Sequence, residues 1–247
     1  MAHVMRPLLK VAGALSLVAL CVVTTGRTVA ADQSGDPPRL LFAERSAILV
    51  LIDGDPLYRP VKGTDLERIT NAKPFIVRDT AGIHYMKVFD GWMEAYGLHG
   101  MWSVAGVPPP GAEQALRRPA IATTVDLLDG ATSRKPGNAP KLDDATAPVI
   151  FISTEPAELI VTNGPPRFAT VEGTSLEYVE NTTANVFKEP TDEELYILIS
   201  GRWFRAWTTD GPWETVSRSE LPSDILAIPD SSLVWHGTRA ARAKPQR

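Results

Sequence analysis

Cysteine is almost missing from this chain: Cys21 is the only one. It lies in an apolar stretch near the amino terminus, so the remainder has no disulfide framework and no thiol chemistry. Histidine is scarce as well. His84, His99 and His236 follow the terminal segment, and none is spaced with another for metal binding. No H-E-x-x-H, cysteine pair, G-x-S-x-G elbow or G-x-x-x-x-G-K-[ST] loop occurs, which removes the common zinc, hydrolase and phosphate-loop readings. No catalytic residue, metal ligand or cofactor is therefore expected. Asp53-Gly54-Asp55 reads as a turn. Asp143-Asp144 and the run Glu189–Glu194 read as solvated acidic loops.

Long apolar runs are also lacking. The longest, Val11–Val23, is too short for a comfortable membrane span. With Arg6 and Lys10 before it and the small residues of "TVAADQ" after it, it reads as a secretory signal peptide over residues 1–31. Cleavage is expected near Ala30 or Ala31, giving a periplasmic or secreted protein with no membrane span. An uncleaved anchor is the alternative. A lipoprotein is disfavoured because Leu20, not a small residue, precedes Cys21. Removing Arg6, Lys10 and Arg27 from 25 basic residues leaves 22 against 29 acidic ones, a net charge of −7. That balance argues against nucleic acid as a partner.

What the chain has is a repeat. "AILVLIDGDPLYRPVKGTDLERITN" from Ala47 matches "AELIVTNGPPRFATVEGTSLEYVEN" from Ala157 at an offset of 110. Gly54/Gly164, Gly63/Gly173, Thr64/Thr174, Leu66/Leu176 and Asn71/Asn181 are among the identities. One inserted residue then aligns Tyr85 with Tyr196, Trp92 with Trp203 and Trp102 with Trp213. Internal similarity of this kind marks one supersecondary unit present twice. Each copy reads as short β-branched and apolar runs separated by Asp-Gly, Asn-Gly, Gly-Thr and Ser-Gly turns. The expected fold class is mainly β: two tandem small antiparallel β modules joined by a short helix and linker. Strands are expected near 47–52, 57–61, 66–70, 74–78, 84–89, 92–96 and 101–104, and again in the second copy. The expected divisions are a first module at 45–106, a helical connector at 107–130 and a linker at 131–147. The second module follows at 148–237, with a disordered tail at 238–247. The connector is expected as a helix from about Ala112 to Asp129, broken near Pro119.

Aromatic residues are only 7% of the chain, yet "YILISGRWFRAWTTDGPW" concentrates them. In the first copy a turn at Asp90-Gly91 would pair Lys87 with Glu94 and Tyr85 with Tyr96. One face then carries Tyr85, Trp92 and Tyr96 around that charge pair, and the other carries Met86, Val88, Met93 and Ala95. A turn at Gly201-Arg202 would give Tyr196, Trp203, Arg205 and Trp207 on one face of the second copy, opposite Ile197, Ile199, Phe204 and Ala206. A charge pair is costly to bury, so the aliphatic face is expected as the core and the aromatic face as partly wet. Such a face is an open platform or an interdomain core. A platform suits a sugar, whose C–H patches lie against an indole while polar neighbours reach the hydroxyls.

The hairpin resembles the chitin-binding carbohydrate-binding modules of families V and XII. Trp207 stands alone where those modules carry an adjacent tryptophan pair. Through "DGDPLYRPVKGTDLERITN", "GPPRFATVEGTSLEYVENT", "LISGRWFRAWTTDGPW" and "LPSDILAIP", the chain is similar over most of 45–237 to bacterial secreted proteins named "carbohydrate-binding family V/XII". The resemblance implies a non-catalytic protein that binds polysaccharide. Tyr196, Trp203, Arg205 and Trp207 are the candidate contacts, with Tyr85, Trp92 and Tyr96 as first-copy equivalents. The alternative is an interaction or structural module docking onto a cell-envelope protein.

Overall fold

The computed structural model describes residues 37–129, 140–191 and 193–228. The signal-peptide segment and the basic tail lie outside these residues. The protein is mainly β, with two antiparallel six-stranded sheets that resemble tandem repeats. The first sheet is a meander of β3 (Tyr58–Pro60), β4 (Glu67–Ile69), β5 (Ile76–Arg78), β6 (His84–Val88), β7 (Gly91–Ala95) and β8 (Ser103–Val104). The second repeats it with β11 (Phe168–Thr170), β12 (Glu177–Val179), β13 (Asn185–Lys188), β14 (Leu195–Ile199), β15 (Arg202–Ala206) and β16 (Glu214–Val216).

The motif that makes the repeat visible is structural. Asn71 donates from Nδ2 to the carbonyls of Asp53 and Asp55 and accepts from the Leu57 N–H. Asn181 holds Asn163, Pro165 and Arg167 in the same way. Thr64 and Thr174 each donate to a valine carbonyl three residues back and accept from the leucine N–H two residues on. Gly63 and Gly173 adopt φ of 72° and 79° in these turns, a left-handed conformation that glycine tolerates without a Cβ penalty. Each shared polar residue thus closes a turn that would otherwise leave backbone groups unpaired.

Two strand pairs were not legible. β1 (Arg39–Ala43), ahead of the first expected module, and β9 (Val149–Ser153), at the start of the second, were not among the expected strands, and each pairs with the other copy. β1 runs parallel to β10 (Ala157–Val161), with Arg39 opposite Ala157. β9 runs parallel to β2 (Ala47–Leu51), with Val149 opposite Ala47. Moving each partner by the repeat offset turns one register into the other, so the exchange is pseudo-twofold. The β2/β9 ribbon packs Ile48, Val50, Ile52 and Ile152 on Ile69, Met86, Val88 and Met93 of the first sheet. The β1/β10 ribbon puts Leu40 and Ile160 against Val186, Ile197 and Phe204 of the second. Ala43, Ala47, Val161, Phe151 and Leu159 join the two ribbons face to face. Each module is therefore completed by a strand from the other.

The opposite face of each sheet is covered by short helices. α1 (Ala112–Leu116) packs Ala112, Ala115 and Leu116 on the first sheet. The helix breaks before Pro119, as expected, into α1 and α2 (Pro119–Ala122), but it ends at Ala122, short of the expected Asp129, and extended chain follows. Pro119 opens the second piece, where its missing N–H costs nothing. Asp126 then bridges to Pro74, and Leu128 enters the core beneath the sheet. In the second module a 3-10 turn at Arg218–Glu220 and α3 (Ser223–Ala227) supply Leu221, Ile225 and Ile228. Ser217 and Glu220 form a capping box at that turn.

Candidate functional site

The two hairpins are shifted from their expected register. Lys87 lies opposite Trp92 and Tyr85 opposite Glu94; Leu198 lies opposite Trp203 and Tyr196 opposite Arg205. The turns are Phe89-Asp90 and Ser200-Gly201, with φ of 51° at Phe89 and 50° at Ser200. Gly91 and Arg202 are strand residues. Gly91 is small for a different reason: a Cβ there would stand 2.9 Å from the Leu142 side chain. The slip moves the pairs but leaves each residue on its expected face, because both strands keep their alternation.

Both faces of each sheet are buried, which corrects the expectation of a partly wet aromatic face. Tyr85, Trp92, Tyr196 and Trp203 are all within the core, beneath α1 or α3. Trp92 meets Phe75 edge to face at 6.0 Å and donates from Nε1 to Glu113 at 2.7 Å. The expected Lys87–Glu94 pair is absent; Lys87 reaches Glu113 at 3.5 Å and lies over the Trp92 ring. Trp203 packs on Phe187 at 5.9 Å.

The tyrosine hydroxyls end on carboxylates. Tyr85 donates to Asp79 at 3.4 Å, and Tyr196 donates to Glu194 at 2.7 Å. Glu194 is buried, not part of a solvated loop. Arg205 lies 3.9 Å from Glu194 and 3.6 Å from Glu214. Burial weighs against its charge, but these carboxylates outweigh that and raise its pKa above the ordinary arginine value. Arg205 is thus tied into a structural ion cluster over Tyr196.

Two candidates behave differently. Tyr96 is 88% exposed and Trp207 is 65% exposed, and they occupy the same repeat position. Each follows the last residue of a central strand, β7 or β15. The loop behind each is built alike. The Gly100 N–H bonds the Gly97 carbonyl, and the Gly211 N–H bonds the Thr208 carbonyl. Trp102 Nε1 donates to the Leu98 carbonyl and Trp213 Nε1 to the Thr209 carbonyl, both at 3.2 Å. Trp213 is buried and stacks on Phe42 of the exchanged strand at 5.9 Å. A tryptophan, buried at Trp213 and partly buried at Trp102, therefore anchors a loop whose first aromatic faces outward. The exposed side chains after them are His99 and Met101 in one module and Thr208, Asp210 and Pro212 in the other.

The copies differ at a part-buried tyrosine–histidine contact. Tyr58 OH lies 2.8 Å from His84 Nε2, and Arg78 stacks 3.8 Å over the Tyr58 ring while pairing with Glu67 at 2.6 Å. The second copy has Phe168 and Leu195 at those two positions, with Lys188 over Phe168. Burial, and then Arg78, lower the His84 pKa. Among the described residues no group of three or more His, Cys, Asp or Glu side chains is placed to hold a metal ion. None of their helices is long and apolar enough to cross a membrane. No protein-family model, curated protein or solved structure matches the chain.

Proposed function

We propose that this is an exported, non-catalytic binding protein, and that Tyr96 and Trp207 are its ligand contacts, with polysaccharide as the ligand. The observation that carries this reading is the repetition of an exposed ring at one position of both modules. Exposing an indole or phenol twice, on loops each tied by a tryptophan N–H to a loop carbonyl, forfeits burial energy at both places. A flat ring held rigidly is the surface on which a sugar's C–H patch stacks. The likeness of the hairpin to chitin-binding modules supports the same ligand class. Tyr85, Trp92, Tyr196 and Trp203 then act as core, and Arg205 as part of the ion cluster that holds the sheet. Two weak sites on one chain raise avidity for a polymer that offers many copies of one sugar.

A protein partner is the second reading. Met101 at 94% and Val107 at 78% exposure favour it on the first module, since neither offers a sugar a hydrogen bond.

Retention on insoluble chitin, cellulose and peptidoglycan tests the proposal, with Tyr96→Ala/Trp207→Ala as the control. Binding to one polymer, lost in the folded double variant, supports it. Absence of retention on all three, or equal retention of the variant, refutes it.

A further inference from the structure

The first module carries a pair of arginines that the second copy of the repeat replaces with uncharged residues. Arg59 on β3 stands directly opposite Arg68 on β4. Side chains directly opposite on neighbouring strands share a face and approach to about 5 Å at Cβ, where like charges destabilise the pair. Among the described residues neither arginine forms an ion pair. Arg59 is exposed at the sheet edge. Arg68 is half-covered by the segment after α2, where its Nη2 reaches Thr124 Oγ1 at 3.5 Å. Its Nε is shut off from solvent and has no hydrogen-bond partner. Burial without a counter-charge lowers the Arg68 pKa. Arg118 adds a third cation at the same hairpin, where its Nη1 donates to the Lys62 carbonyl.

The second module has Ala169 opposite Tyr178 at these positions. The same sheet is thus built there with no charge on that face of the hairpin. In a chain of net negative charge, two arginines without an ion-pair partner, opposite one another on neighbouring strands, favour an anion beside them. We infer that Arg59 and Arg68 form a binding site for a tetrahedral oxyanion, a phosphate or sulfate group, on the edge of the first sheet. Planar N–H forks from two arginines match an acceptor with several oxygens better than a single lysine charge would. Thr124 fixes Arg68, leaving Arg59 to close on the ligand from the solvent side. The inference does not depend on Tyr96 or Trp207.

Calorimetric titration of the protein with inorganic phosphate, inorganic sulfate and acetate provides the test. Saturable binding of phosphate or sulfate, with acetate weaker, is expected, and the better of the two ions identifies the ester class. The variant Arg59→Ala/Arg68→Tyr copies the second module and is expected to fold; its affinity falls roughly tenfold or more through loss of charge-assisted bonds. Arg39→Ala/Arg45→Ala removes equal charge elsewhere and leaves affinity unchanged. If the first variant does not fold, the arginine Nε–Hε resonances of the unmodified protein replace it as the readout. Ligand must then shift the Arg59 and Arg68 signals ahead of all other arginines. Absence of binding, binding unchanged by Arg59→Ala/Arg68→Tyr, equal loss in the control, or no selective shift of the two resonances overturns the assignment.

Discussion

Replacing Trp203 by alanine should unfold the second module, whereas replacing Trp207 should leave it folded. The two tryptophans lie four residues apart on one hairpin, and local sequence does not separate them. Trp203 is 9% exposed, against Phe187 and beneath α3; Trp207 is 65% exposed. A buried tryptophan removes about 200 Å² from water, which at roughly 25 cal/mol per Å² is about 5 kcal/mol as an upper bound. Measured losses for such truncations run about 3–5 kcal/mol, because the cavity collapses only in part. Trp207 hides only about a third of its surface, so the same reckoning caps its loss near 1–2 kcal/mol. Domains are stable by only about 5–15 kcal/mol, so the first change removes much of the margin and the second does not. Urea unfolding followed by far-ultraviolet circular dichroism measures both. A fall in midpoint for Trp203→Ala several times that for Trp207→Ala is expected. Equal losses, or a larger loss at Trp207, would refute the burial argument and with it the choice of Trp207 as a contact.

The remaining predictions are shorter. Asn71→Ala strips three backbone groups of their partner and should cost about 1–3 kcal/mol, read as a lower melting temperature; Asn71→Asp, which loses the donors alone, should lie between. Glu113→Ala leaves the Trp92 N–H without its carboxylate and should lower the midpoint by about 1 kcal/mol, with a change in tryptophan fluorescence. Because the folded His84 pKa lies below its ordinary 6.5, the unfolded state takes up the proton first. Stability should therefore fall as pH drops through 6.5 and level off below the folded value. Tyr58→Phe/His84→Leu, which copies the second module, should flatten that slope in denaturant titrations at pH 7 and below; an unchanged slope would assign it elsewhere. Deleting residues 37–43 should expose tyrosine and tryptophan of the second module before those of the first, as hydrogen exchange would show.

The strands and the repeat were legible because their signals are local. Apolar alternation set the faces, and the shared Gly63-Thr64 and Asn71 positions set the offset. Helix length was misread because the stretch from Ala112 is apolar at helical spacing, while Pro119 and the Leu128 core contact redirect it. The hairpin register was missed by the choice of turn. Asp90-Gly91 carries the composition of a turn, but Gly91 is needed for room beside Leu142 and not for its backbone. Exposure of the aromatic faces was not legible at all, since the covering helices are too short to announce themselves. The exchange of β1 and β9 left no trace either. A parallel pairing between Leu41 and Leu159 has no signature within either segment. Tyr96 and Trp207 stood among the aromatics that the repeat aligns, but nothing in the sequence distinguished them from Trp92 and Trp203.

The strand exchange sets the order in which the protein can be completed. As the chain emerges from synthesis, β2 and the first sheet are present long before β9. Until Val149–Ser153 appears, Ile48 and Val50 have an open flank. β1 waits equally, held for a partner that arrives with Ala157. Pairings of such long range form late and leave apolar strand edges unguarded meanwhile. The first half of this chain thus keeps unpaired strand edges until the second is made, and its two halves are completed together rather than in succession.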